Sequence, residues 1–175
     1  MALATLTNSG RAAIAKAISE NTLHLAWCTG DPAWDAPDAE LPSLVEATAL
    51  VNEVGRHALT RCGFVLPDEA GDIIIPVSVG ANDAVQEARY RKSDTPTPYL
   101  YIYVQYDYGD ASNAVIREYG LFMGTTLTEG LPPGQRYFTP AQVQDTGLLM
   151  AVQIVTPPIN RSPSVRQSVE FVMPI

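Results

Sequence analysis

The stretch "YLYIYVQYDYGDASNAVIREYGLFMGTT", residues 99–126, decides the fold. In its first half Tyr99, Tyr101 and Tyr103 face one way, and Leu100, Ile102, Val104 and Tyr106 face the other. Apolar bulk on both sides predicts a strand covered on both faces. The turn "GDASN" then leads into "AVIREYGLFMG", so a β-hairpin is expected here. Inside that second strand stand two opposite charges, Arg117 and Glu118. Neighbouring strand residues point to opposite faces, so they are not expected to pair with each other. Arg117 shares a face with Val115 and Tyr119, and Glu118 with Ile116 and Gly120. An unpaired buried charge is expensive, so each needs its own partner. Either each caps a backbone group or loop within the chain, or one face meets a neighbouring subunit.

Working outward, residues 7–20, "TNSGRAAIAKAISE", read as a short helix. Thr7 or Asn8 can cap it. Ala13, Ile14, Ala17 and Ile18 form its expected apolar stripe, with Leu3 and Leu6 packed beside it and Asn21 as its stop. "TLHLAWC" (22–28) alternates as a strand, and "TGDPAWDAPDAELPS" (29–43) is a loop. "LVEATALVNEVGRH" (44–57) reads as a short helix or irregular turn passing into a strand over Glu53 to Ala58. "RCGFVLP" (61–67) and "IIIPVSV" (73–79) read as hairpin partners across the turn "DEAGD". Residues 80–98 are polar and expected to be a long loop, as are residues 125–147, where Pro132, Pro133, Gly134 and Pro140 oppose regular structure. The last strands are "LLMAVQIVTPP" and "SVRQSVEFVMPI", separated by the arm "PPINRSPS". The sum is mainly β, an antiparallel β-sandwich or open barrel of roughly six to eight strands. Residues 1–175 read as a single domain: an N-terminal helix over 7–20 and a β-rich body with long loops over 22–175.

Composition narrows the function. With 175 residues the chain buries roughly two thirds of its unfolded surface and needs no staples. Charged residues make up only 17%, against the usual ~25%. That suits either a protein that hides surface against partners or an ordinary β-rich domain. A net charge of −8 repels phosphates, and no basic run offsets it, so nucleic acid is not an expected partner. No apolar run reaches the ~20 residues that span a bilayer, and the N-terminus lacks signal-peptide features. The chain is therefore expected to be made in the cytoplasm. Cys28 and Cys62 are expected to be buried free thiols.

Chemistry is sparse. No GxSxG elbow occurs, neither cysteine sits in a basic setting beside a histidine, and the prolines of "GLPPGQ" remove the donors a phosphate loop needs. There is no CxxC for zinc, and Asp31, Asp35, Asp38 and Glu40 match no EF-hand spacing, so they read as a solvated loop. No catalytic residue, cofactor or metal is expected. Trp34, in mid-loop, packs either on its own core or on a partner. The tyrosine face of Tyr99, Tyr101 and Tyr103 either stacks on sugar rings or packs within the protein.

"LTNSGRAAIAKAI" (6–18), followed by a strand and "CTGDPAW", resembles the opening of bacteriophage tail-fibre and tail-collar proteins. Those proteins later carry a strand of the form "IREIGLFD", which "VIREYGLFMG" resembles; here Tyr119 replaces a small apolar residue and Met123–Gly124 an Asp-rich turn. The resemblance implies the virion-proximal part that attaches a fibre to the baseplate. With no fibrous shaft or receptor-binding tip after "VRQSVEFVMPI", it implies an adaptor of the tail or baseplate. Its implied partners are other tail and baseplate proteins, a tail fibre and further copies of itself; its implied place is the virion, after assembly in the host cytoplasm. Arg117, Glu118, Tyr119, Trp34, Tyr99, Tyr101 and Tyr103 are the candidate interface residues. The alternative is a carbohydrate- or receptor-binding β-sandwich module of a phage tail.

Overall fold

The computed structural model describes residues 4–79 and 84–175. Strand accounts for 47% and there is one α-helix, so the chain is mainly β with antiparallel sheets, as expected. Its contacts group into two compact units.

The first unit comprises residues 1–20, 61–103 and 169–175. Its helix α1, Asn8–Ser19, starts where the Thr7 hydroxyl accepts a hydrogen bond from the Gly10 N–H. The expected stripe is turned. Ala15 and Ile18 are buried, flanked by half-buried Arg11, Ala12 and Ser19, while Ala13, Ile14 and Ala17 are exposed. Either stripe has helical spacing; the face turned inward is the one from which Arg11 reaches the Ile175 carbonyl. Leu6 sits against Gly10, and Leu3 lies outside the described residues.

The unit's sheet uses β3 (Arg61–Pro67), β4 (Ile73–Val79), β5 (Ala84–Ser93), β6 (Tyr99–Tyr106) and β12 (Gln167–Pro174) in the order β12-β6-β3-β5-β4. Two expectations fail here. First, β3 and β4 are not hairpin partners, because β5 lies between them: Phe64 pairs with Ser93 and Ile73 with Tyr90. The turn after β3 passes so close to β5 that a Cβ on Gly71 would stand 2.2 Å from the Tyr90 carbonyl oxygen. Second, residues 84–93 are a strand rather than part of a loop. Their polar side chains suit an exposed ribbon, with Glu87–Arg89 and Asp68–Arg91 ion pairs along it, and pairing to β4 supplies the order that composition does not. Residues 80–83 of that expected loop lie outside the described residues. Cys62, in β3, is exposed rather than buried; Cys28 is buried, and both are free.

The second unit comprises residues 21–60 and 104–168. Its sheet has the order β11-β7-β1-β2-β9, from β1 (Leu23–Cys28), β2 (Glu53–Ala58), β7 (Val115–Met123), β9 (Tyr137–Phe138) and β11 (Leu148–Asn160). Two short strands, β8 (Thr126–Leu127) and β10 (Val143–Asp145), pair separately. All six residues of β1 are buried. Tyr106 stacks on Trp27 with ring centroids 3.6 Å apart and donates its hydroxyl to the Leu25 carbonyl at 2.7 Å. Counting the short strands, twelve occur among the described residues, above the expected number.

The hairpin expected between β6 and β7 does not form. β6 lies between β12 and β3, and β7 between β1 and β11, in different sheets. The connection holds Ala111 (φ 47°) and Asn113 (φ 68°) in left-handed conformations, and it winds around a buried guanidinium. Arg161 donates from Nη2 to the Asp107 carbonyl at 2.7 Å and from Nη1 to Val165 at 2.9 Å, with its guanidinium 5.2 Å from the Trp27 ring centre. A strand buried on both faces has two strand neighbours to satisfy, and more distant segments take both positions.

Candidate interface

Arg117 and Glu118, adjacent on β7, work on the same loop from different directions. The loop runs from the end of β1 to the start of β2, and two backbone hydrogen bonds close its neck: Thr29 N–H to Asn52 O and Gly30 N–H to Val51 O, each 3.1 Å. Glu118 completes the neck, its Oε2 accepting the Val51 N–H at 2.7 Å. The side chain is buried, and burial pushes its carboxyl pKa up, against the pull of the Val51 N–H. Beside it, a Cβ on Gly120 would stand 3.0 Å from the Leu50 methyls and 2.7 Å from a Leu149 methyl, so the loop's Leu50 sits close over the bare backbone of the strand.

Arg117 grips the first turn of the same loop. Pro32–Asp35 form a short 3-10 helix started by Asp31, which accepts the Ala33 N–H. Arg117 meets the Asp35 carboxylate with two parallel bonds of 2.9 and 2.8 Å and donates to the Thr29 carbonyl at 3.0 Å. This pairing holds the Asp35 carboxyl below the usual carboxylate range and raises Arg117. Gly30 lies between the Trp34 ring and Arg117. A Cβ on Gly30, which has φ 59°, would fall 2.5 Å from the Trp34 ring and 2.9 Å from the Arg117 Cβ. Trp34 therefore packs on its own chain, half-buried.

The second long excursion, residues 124–147, is held the same way by the opposite charge. Arg56 on β2 is fully buried. It pairs with Glu53 and donates to Thr125 Oγ1 and the Thr146 carbonyl, both at 2.8 Å. Its guanidinium also lies 4.4 Å from the Phe122 ring centre. Tyr137 on β9 anchors the middle of the excursion by donating to the Val54 carbonyl at 2.9 Å. Both excursions are thus clamped at the neck by a buried charge; the first is largely exposed beyond it, and the second is pinned again at β9, where Phe138 is buried.

The candidate residues fall into two groups. Arg117, Glu118, Tyr119 and Trp34 belong to the second unit, and Tyr119 donates its hydroxyl to Gln153 at 2.6 Å. Tyr99, Tyr101 and Tyr103 belong to the first. There Tyr101 is buried in a cluster with Val65 and Ile75 and donates to Glu170 at 2.6 Å. Tyr99 lies 6.2 Å from Tyr90, and Arg61 covers Tyr103 at 5.3 Å. The three rings are engaged by their own unit. Sequence reading missed Asp35, Val51 and Arg56 as clamps. The lone glycine of "YGLF" was the available sign that something approaches β7 closely.

Among the described residues no cluster of His, Cys, Asp and Glu could hold a metal ion, and no helix is long and apolar enough to cross a membrane. The fold is mainly β, with two excursions held at their necks by charged side chains, and the "LTNSGRAAIAKAI" and "VIREYGLFMG" motifs indicate the phage tail and baseplate class. Residues 3–175 match the family model described as baseplate wedge 3 tail fiber network component, and the chain belongs to that family. It is a structural, baseplate-associated component of a phage tail. No curated protein matches it.

Proposed function

We propose that this chain attaches or organises tail fibres at the baseplate through protein–protein contacts, with the loop of residues 29–52 as a principal contact element. One observation carries this reading: a buried carboxylate, Glu118, is committed to the neck of a loop whose outer part leaves Val45 95% exposed. Burying a charge is costly, and here it holds a loop in one place. A loop ordered before binding loses less entropy on binding. Arg117 and Glu118 then act by positioning the loop, and residues beyond the neck make the contact. The chain's partners are other baseplate and tail proteins, its place is the assembled virion, and assembly occurs in the host cytoplasm. The test is deletion of the gene followed by electron microscopy of purified particles. Baseplates without attached fibres are expected. Particles with a full set of fibres and no copy of this chain overturn the proposal.

A further inference from the structure

We infer that residues 36–51 of this loop dock into an apolar groove with a basic rim on a different baseplate protein, and not onto a second copy of this chain. The inference rests on the loop being the contact element. Between Thr29 and Glu53 the sequence has Asp31, Asp35, Asp38, Glu40, Glu46 and Glu53 but no Lys, Arg or His. Three of these acids have tasks inside the chain: Asp31 caps the 3-10 helix, Asp35 pairs with Arg117 and Glu53 with Arg56. Asp38, Glu40 and Glu46 are exposed and make no ion pair among the described residues. Among them stand exposed apolar side chains: Leu41 at 49%, Val45 at 95% and Val51 at 41%. Apolar residues set among uncompensated acids match a partner with the reverse pattern, an apolar floor and a cationic border.

The chain's own cations decide against self-association through this loop. It has 11 Lys and Arg in all. All but Lys92 already engage a carboxylate, a backbone carbonyl or an aromatic ring of their own unit. The chain's net charge of −8 adds a general repulsion between copies. A second copy would have to share cations that, Lys92 apart, already have partners of their own, which disfavours a self-docked rim. A different protein brings its own.

The test places the photo-crosslinking residue p-benzoylphenylalanine at position 45 and irradiates purified, assembled particles. The expected product joins this chain to another baseplate protein, at a peptide bearing Lys or Arg. The double variant Glu40→Lys, Glu46→Lys, confirmed folded by an unchanged melting curve, is expected to cut that product by about tenfold or more, and the loss should widen at low salt and ease at high salt. A product joining two copies of this chain, no product, or a product undiminished by charge reversal overturns the inference. Particle morphology separates this from the broader proposal. If gene deletion removes fibres while the double variant and Val45→Asp keep them, the docking inference fails and the attachment role stands. If deletion itself leaves the fibres in place, the attachment role fails.

Discussion

Replacing Glu118 with alanine and, separately, with glutamine distinguishes the hydrogen-bond acceptor from the charge. Alanine removes the acceptor of the Val51 N–H, a 2.7 Å bond. A bond to a charged group contributes ~1.5–3 kcal/mol net, and a stranded donor carries a similar penalty. The expected loss for E118A is therefore about 2–3 kcal/mol. Glutamine keeps a side-chain oxygen that can accept from Val51. It also removes a charge that burial already disfavours, as the raised carboxyl pKa shows. E118Q should cost under ~1 kcal/mol. Urea denaturation measures both. Amide exchange localises the effect: the Val51, Thr29 and Gly30 amides should exchange faster in E118A and remain protected in E118Q. The pH dependence has a definite sign. The folded protein holds the Glu118 proton more tightly than the unfolded chain, whose ordinary value is 4.5. That contribution is full below 4.5 and is lost as pH rises through the folded value. The stability difference between wild type and E118Q should thus shift in the wild type's favour on acidification. Equal losses in the two variants, or an E118A protein with a protected Val51 amide, refute the clamp.

Acid should destabilise the second unit through His24. Its ring is buried, its Nδ1 has no hydrogen-bond partner, and burial, then Arg56 and His57, lower its pKa from 6.5 to about 4. Between those values the unfolded chain takes up a proton that the folded chain refuses, so stability falls as pH drops, by ~3 kcal/mol over the whole window and about 2 kcal/mol between pH 7 and pH 5, at ~1.4 kcal/mol per tenfold change in proton affinity. Urea melts at pH 7 and pH 5 should show the drop in wild type and a flatter response in H24L; parallel curves count against it. R56K should lose the paired contacts to Glu53, Thr125 and Thr146. Lysine keeps a charge for Glu53 but lacks the extra donors, so the expected cost is about 1–3 kcal/mol, with faster proteolysis confined at first to residues 124–147. Cleavage at wild-type rates contradicts the role given to Arg56.

Local sequence signals placed most elements. Thr7 caps α1, β2 spans Glu53–Ala58, β3 spans Arg61–Pro67, and the alternation from Tyr99 to Tyr106 is a strand covered on both faces. These follow from side-chain period and turn chemistry, which act over a few residues. The strand over residues 84–93 was hidden because its side chains are polar and its order comes from β4. The pairings were hidden because adjacency in sequence favours hairpins only until a distant strand offers a better-covered face. The same division holds at the candidate interface. The period of two showed that Arg117 and Glu118 need separate partners. The partners themselves lie 82 and 67 residues away in the chain, at Asp35 and Val51.

By itself, then, the sequence determined that this protein is mainly β, that β7 holds a charge on each face, and that its motifs belong with phage tail proteins; the loops expected over 80–98 and 125–147 instead hold β5 and the short strands β8, β9 and β10. Only the tertiary structure decided which strands are neighbours, which face of α1 turns inward, and that the two charges of β7 clamp one loop. The physical reason is range. Propensity and periodicity are properties of a short window, whereas the partner of a buried charge is whatever the folded chain brings within about 3 Å of it.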